Sequence, residues 1–281
     1  MGKVISFLNF KGGVGKSTST VNTAKALHDM GYKVLVIDAD AQGNSSKMMG
    51  KKASEGNDET LYEALIKGMD IRRCICLDQD QDESFDYVAS NQYLGDAETD
   101  LAKMVGREKV LSKVLRPVIN NYDFILIDCA PIDGLVTQNA ITASDYLIVP
   151  LNGEAFALDG MGKIIQRYRE IKENVNENVQ ILGYVLTLIK KCTLHDENRQ
   201  RLLKQKETNG WPGEVFRTEI KNSVYFAESA QKRKNIFDYA KQLPAANFLN
   251  KNKKTKCLQA AEQYTELAKE IINRIENLQS K

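Results

Sequence analysis

Asn9-Phe10-Lys11-Gly12-Gly13-Val14-Gly15-Lys16-Ser17-Thr18 follows an apolar run, Val4–Leu8, and opens a helical pattern over Ser17–Met30. A glycine-rich turn between a strand and a helix lets backbone N–H groups approach an anion closely, because no Cβ stands in the way. The helix N-terminus adds favourable potential for negative charge. In such a loop Lys16 reaches terminal phosphates and the Ser17 hydroxyl ligates Mg²⁺. Gly12, Gly13, Val14, Gly15, Lys16, Ser17 and Thr18 are therefore the expected phosphate cradle.

Outward from this loop, short apolar runs alternate with helical patterns. Val4–Leu8, Val34–Ile37, Tyr87–Ala89, Phe124–Ile127, Tyr146–Val149, Ile181–Leu188 and Val215–Phe216 read as strands. Several are apolar at consecutive positions, as parallel strands covered on both faces are. Ser17–Met30, Thr99–Val118, Leu135–Ala143, Gly160–Asn174 and Leu194–Thr208 carry helical spacing. The rhythm predicts an α/β fold, a doubly wound and mostly parallel sheet with helices on both faces. Lys51–Glu59 and Asp78–Ser84 are polar or acidic and read as surface loops. No linker divides the chain, so residues 1–281 are expected to form a single domain. A last helix, at about 258–278, is expected to pack on it through Ala261, Tyr264, Ala268, Ile271, Ile275 and Leu278.

Two further strands end in carboxylates. Asp38 and Asp40 follow Val34–Ile37, at the strand edge where open α/β sheets bind ligands. They point to the same side of an extended segment, so both are candidates for the region of metal and water. Phe124-Ile125-Leu126-Ile127-Asp128 is an apolar strand closing on an aspartate, the pattern in which the carboxylate holds Mg²⁺.

Composition narrows the class. The chain has 281 residues, 42% hydrophobic and 27% charged, long enough for a sizeable core without a disulfide or metal staple. Its five cysteines, at 74, 76, 129, 192 and 257, are odd in number and dispersed, which points to a reducing compartment. The pair Cys74 and Cys76 has no second pair or nearby His to complete a zinc set, and Cys129 reads as packing. No apolar stretch approaches 18 residues, so no membrane span is expected. Net charge is +2, yet residues 1–150 sum to −5 and residues 151–281 to +7. That asymmetry raises the prospect of an anionic partner for the second half.

The loop departs from the ordinary P-loop: Phe10 stands where the first glycine would be, and Lys11 is added. This resembles the deviant phosphate loop of the ParA/MinD family of ATPases. The resemblance implies that Lys11 reaches across an ATP-dependent homodimer to the partner's nucleotide. Val34 to Asn44 is similar to the family's D-x-D-P-Q-G-N segment, with Ala41 for proline. It implies that Asp40 positions the attacking water and that Asp38 lies near the metal shell. Asp128-Cys129-Ala130-Pro131 resembles the family's D-C-P-P switch, with Ala130 for the first proline. Weaker likenesses run through Asp145–Pro150, Leu182–Thr187, Val215–Ile220 and Ala227–Ser229, so that roughly residues 3–242 are covered. The Val215–Ser229 segment is the one expected to flank the adenine.

Within the family, the absence of an N-terminal helix-turn-helix, a cluster-binding cysteine pair and a terminal tyrosine cluster leaves the short DNA-partitioning ATPases. That implies slow ATP hydrolysis to ADP and phosphate with Mg²⁺, non-specific DNA binding, and stimulation by a ParB-like centromere-binding adaptor. The setting implied is cytoplasmic and nucleoid-associated, with plasmid or chromosome partitioning as the outcome. Lys190, Lys191, Arg199, Arg201, Lys204, Arg217 and Lys221 are the candidate DNA contacts, with Lys232–Lys234 and a basic loop at Lys251, Lys253, Lys254 and Lys256 as further clusters. A MinD-like or cargo-positioning ATPase on a membrane or protein surface is the alternative. The Glu262, Glu266, Glu270 and Glu276 face of the last helix argues against lipid. An ATP-dependent amide synthetase on the same scaffold is a third class.

Overall fold

The computed structural model describes residues 2–50, 59–76, 85–152, 158–190, 194–244 and 248–280. Its strands are β1 (Lys3–Phe7), β2 (Val34–Ala39), β3 (Ile75–Cys76), β4 (Asp86–Val88), β5 (Phe124–Cys129), β6 (Tyr146–Asn152), β7 (Gln180–Ile189) and β8 (Glu214–Lys221). They form one sheet in the order β3-β4-β2-β5-β1-β6-β7-β8. All neighbours run parallel except β3 and β4. The expected strands are all present. β3 escaped notice because two residues carry no periodicity, and β8 runs well past Phe216.

The helices are α1 (Lys16–Asp29), α2 (Asn44–Met48), α3 (Leu61–Ile66), α4 (Ile71–Cys74), α5 (Ala97–Ala102), α6 (Val110–Leu115), α7 (Leu135–Ala143), α8 (Leu158–Asn174), α9 (Leu194–Asn209), α10 (Val224–Gln231), α11 (Ile236–Gln242) and α12 (Phe248–Gln279). They cover both faces of the sheet. Ile125 and Ile127 join a core with α3 and with α5 to α9; Leu126, between them, joins the opposite core with α1, α11 and α12. Alternating strand residues thus serve two buried layers, which is why β2 and β5 are apolar without interruption.

Two helix assignments need correction. The helix over Thr99–Val118 is broken into α5 and α6, because Gly106 takes a left-handed φ of 66° and a short 3₁₀ turn, Arg107–Lys109, follows. The last helix starts at Phe248 rather than near 258, so Lys251, Lys253, Lys254 and Lys256 are helical and not a loop. No glycine or proline interrupts 248–279. Lys253 is further held by Glu228 (2.6 Å) and lies over the rings of Tyr225 and Tyr239. The stretches expected as loops, Lys51–Glu59 and Asp78–Ser84, fall outside the described residues except for Glu59, which pairs with Arg73 (3.1 Å).

α12 buries Ala261, Tyr264, Ala268, Ile271 and Ile275, whereas Leu278 is exposed. Tyr264 packs edge-on against Phe226 and its hydroxyl lies 3.4 Å from Ser19 on α1. The same helix closes the free edge of β8. Glu270, expected on a solvated acidic face, instead accepts hydrogen bonds from the Arg217 and Thr218 N–H groups (2.9 and 3.0 Å), and Gln263 accepts from Lys221 N–H (2.6 Å). Arg274 donates to the carbonyls of Leu182, Glu214 and Val215 over the face of Phe216. An uncovered edge strand would leave these groups open to another chain.

Candidate active site

β1, β2 and β5 end side by side, and the segments that follow them converge on one cavity of about 490 Å³. Gly12, Gly13, Gly15, Lys16, Ser17 and Thr18 line one wall, with Asp40, Gln42 and Pro131 opposite. Gly13 and Gly15 have φ of 73° and 82°, which L side chains rarely adopt, so the loop's curvature depends on them. The first turn of α1 contains no acidic side chain, and its N-terminal N–H groups are left for an anion.

Side chains outside the motif hold the loop's shape. Asn9, buried, donates to the Pro150 carbonyl (2.8 Å) and accepts from Lys11 N–H (2.9 Å). Thr187, at the end of β7, donates to the Val14 carbonyl (2.8 Å). Lys16 is buried and its ammonium donates to the Lys11 carbonyl (3.1 Å). Burial lowers the Lys16 pKa, and Asp128 and Asp40 partly oppose that. The Lys11 side chain is exposed. One loop therefore carries one inward and one outward lysine.

The three aspartates differ in their surroundings. Asp40 accepts from Gln42 N–H (2.9 Å) and stays at the cavity wall. Asp128 is fully buried; one oxygen accepts from the Ser45 hydroxyl (2.7 Å) and the other, Oδ1, has no hydrogen-bond partner. The Ser17 hydroxyl lies near enough to favour its charged form. Asp38 is equally buried, but its oxygens take the Asp40 N–H (3.2 Å) and both the N–H and hydroxyl of Ser46 (2.7 Å each). Asp38 thereby braces α2 and the Asp40 turn. Burial raises the pKa of both Asp38 and Asp128; the Asp128 charge adds to the rise at Asp38, and Ser17, Ser45 and Lys16 oppose it at Asp128. Asp128, with its Oδ1 unsatisfied, and the nearby Ser17 hydroxyl are oxygen donors of the kind a hard divalent cation takes.

Beyond Asp128, the loop to α7 is fixed at two points. Arg167 of α8 grips Asp133 with a two-pronged pair (2.8 and 2.9 Å). Glu98 accepts from the Leu135 and Val136 N–H groups at the start of α7. Ala230 and Gln231, directly after the Val215–Ser229 segment, line the phosphate cavity. Cys129 is buried and its thiol is pushed up to about 12, mainly by burial, which suits a packing residue.

Ser45 and Ser46 were not singled out by sequence, and Asn9 and Thr187, although inside stretches quoted there, were given no role. For the serines, the two consecutive hydroxyls after the Asp40 turn were the available signal, whereas the bond from Thr187 to Val14 spans a separation that local sequence does not record. The candidate DNA contacts are scattered. Lys190, Arg201, Lys204, Arg217 and Lys221 are exposed, and Lys191 lies outside the described residues. Arg199 is partly buried, pairs with Glu219 (2.8 Å) and donates to the Phe216 carbonyl (3.1 Å), tying α9 to β8. Among the described residues, no helix is long and apolar enough to cross a membrane.

A family model described as an AAA domain matches residues 2–181. The sporulation initiation inhibitor protein Soj of Bacillus subtilis is 31% identical over 271 residues, spanning 96% of this chain and 98% of that protein. The chromosome-partitioning ATPase Soj of Treponema pallidum is 32% identical over 274 residues, 98% of each chain. Among solved structures, cobyrinic acid a,c-diamide synthase of Mycobacterium smegmatis, with a bound ATP analogue and magnesium, is similar at a TM-score of 0.72 and 27% identity, over 85% of this chain and 93% of that one. Full-length likeness above 30% identity and a phosphate loop with lysines at both ends place this chain in the ParA/MinD family of P-loop ATPases.

Proposed function

We propose that this chain is an Mg²⁺-dependent ATPase that dimerises on ATP, binds DNA without sequence preference and drives partitioning with a ParB-like adaptor. The observation that carries the reading is the loop with a buried Lys16 and a solvent-facing Lys11. The N–H groups of Gly12 to Gly15 cradle the phosphates, and Lys16 supplies their nearest positive charge. Asp128 and Ser17 would hold the metal, which would supply charge neutralisation on the phosphates. Asp40 orients the attacking water, and Asp38 keeps the Asp40 turn in place. Lys11 completes the partner's site across the dimer. Residues 1–281 act as one unit, with α12 part of it, in the cytoplasm and on the nucleoid.

The partition reading is supported by full-length similarity to a protein named as a chromosome-partitioning ATPase. A synthetase reading draws on the cobyrinic acid a,c-diamide synthase likeness, which covers less of this chain at lower identity. A MinD-like role on a membrane or protein surface shares the ATP chemistry and differs in its track. Hydrolysis and duplex-DNA binding, measured for wild type and Lys11→Ala with ATP, ADP and no nucleotide, decide among them. Expected are ATP-selective, salt-sensitive DNA binding by wild type and loss of dimer and turnover in the variant. Turnover that requires an added carboxylic acid and amide donor would overturn the partition reading.

A further inference from the structure

α8 and α9 flank a cavity of about 780 Å³, separate from the phosphate cavity. Lys163 and Gln166 of α8, Arg201, Lys204 and Gln205 of α9, and Trp211 are among the residues that line it. Its described lining contains three cations and no carboxylate. The cations of α9 divide into two sets. Arg199 and Lys206 point to β8 and pair with Glu219 (2.8 Å) and Glu214 (3.1 Å). Arg201 and Lys204 face the cleft and, like Lys163, form no ion pair among the described residues.

Like charges gathered without counter-charge repel one another, so a polyanion seated there relieves the repulsion as it binds. Gln205, Thr208 and Asn209 add the neutral donors that phosphate oxygens also accept from. An acidic protein segment would need apolar anchors as well as charge, and the only apolar side chain in the described lining is Trp211, 8% exposed. By contrast, Arg217 shares its cavity with Glu214 and Glu270, which weakens its appeal to a phosphate.

We propose that the cleft between α8 and α9 seats the sugar–phosphate backbone of duplex DNA through Lys163, Arg201 and Lys204. The inference rests on the DNA-binding reading above and names its surface.

The test is a salt titration of fluorescent duplex DNA binding to the ATP-loaded protein. Wild type is compared with the Lys163→Gln, Arg201→Gln, Lys204→Gln triple variant and with the charge-preserving Arg201→Lys, Lys204→Arg pair. Losing three phosphate contacts should lower the slope of log affinity against log salt by about 2–3 and weaken binding about 100-fold at 0.1 M salt. The charge-preserving pair should keep the wild-type slope. Wild-type binding with an unchanged slope in the triple variant would overturn the cleft while leaving DNA binding standing. No duplex binding by wild type would overturn both. Cleft-dependent capture of poly-L-glutamate without capture of duplex would make the partner an acidic protein and overturn the proposal.

Discussion

Asp38 and Asp128 are register partners on adjacent strands, both fully buried, each bonded to the hydroxyl of one of two consecutive serines. Ser46 serves Asp38 and Ser45 serves Asp128, so a five-residue helix sets both carboxylates at once. Two like charges in one dry site are costly, and burial holds both pKa values above the ordinary carboxylate range.

The sign of the resulting pH dependence follows. Unfolded, these groups lose their protons near pH 4, whereas folded they keep them toward neutrality. Between those limits the folded state binds more protons, so the pair's contribution to stability is full at low pH and is lost as pH rises. Without ligand, the thermal midpoint of wild type should fall from pH 5 to pH 8 more steeply than that of Asp38→Asn. Mg²⁺ and nucleotide should flatten the wild-type curve. Equal slopes for wild type and variant would remove the pair as its cause.

Asp40 and Lys16 separate binding from turnover. Lys16→Ala should abolish nucleotide binding, because the phosphates lose the buried ammonium. Asp40→Ala should bind ATP at near wild-type affinity and lose turnover by about 100-fold or more, the scale of a lost proton-transfer or water-positioning group. Fluorescent-nucleotide titration and phosphate release measure the two. Normal turnover in Asp40→Ala would take that residue out of the chemistry.

Thr187 is a positioning residue for the loop. Thr187→Val removes the donor to the Val14 carbonyl and should cost about 1–2 kcal/mol. If the loop relaxes as a result, nucleotide affinity drops about tenfold, whereas Thr187→Ser, which keeps the hydroxyl, restores it. Unchanged affinity in the Val variant would show that the loop holds its curvature unaided.

Gly183 has no room for a side chain. A Cβ there would lie 2.3 Å from the Glu214 carbonyl oxygen and 2.4 Å from Arg274 Nη1. Gly183→Ala should therefore destabilise the fold by about 1–3 kcal/mol, read from the urea midpoint. Retained stability would mean that β8 and Arg274 shift together at no cost.

The strand–loop–helix start and the uninterrupted apolar strands were legible because burial on two faces and glycine's conformational freedom leave direct marks on local sequence. What the sequence did not show depends on distance along the chain. Arg199 looked like any surface cation until Glu219 came within 2.8 Å of it. Glu270 looked solvated until β8 supplied two N–H groups. Asp38 and Asp40 read alike as a strand-end pair and were told apart only through the resemblance; the structure adds that α2 engages the first. The periodicity of Thr99–Val118 ran through Gly106, whose left-handed conformation no hydrophobic pattern records.

The closure of β8 by α12 bears on how this protein tolerates shortening. A chain cut ahead of Gln263 would bare an eight-residue strand whose N–H groups now end on Gln263 and Glu270. Such an edge is a template for pairing with another chain, and the cut would also take Tyr264, Leu267, Ile271 and Ile275 out of the core, so a chain shortened there should aggregate rather than work as a smaller ATPase.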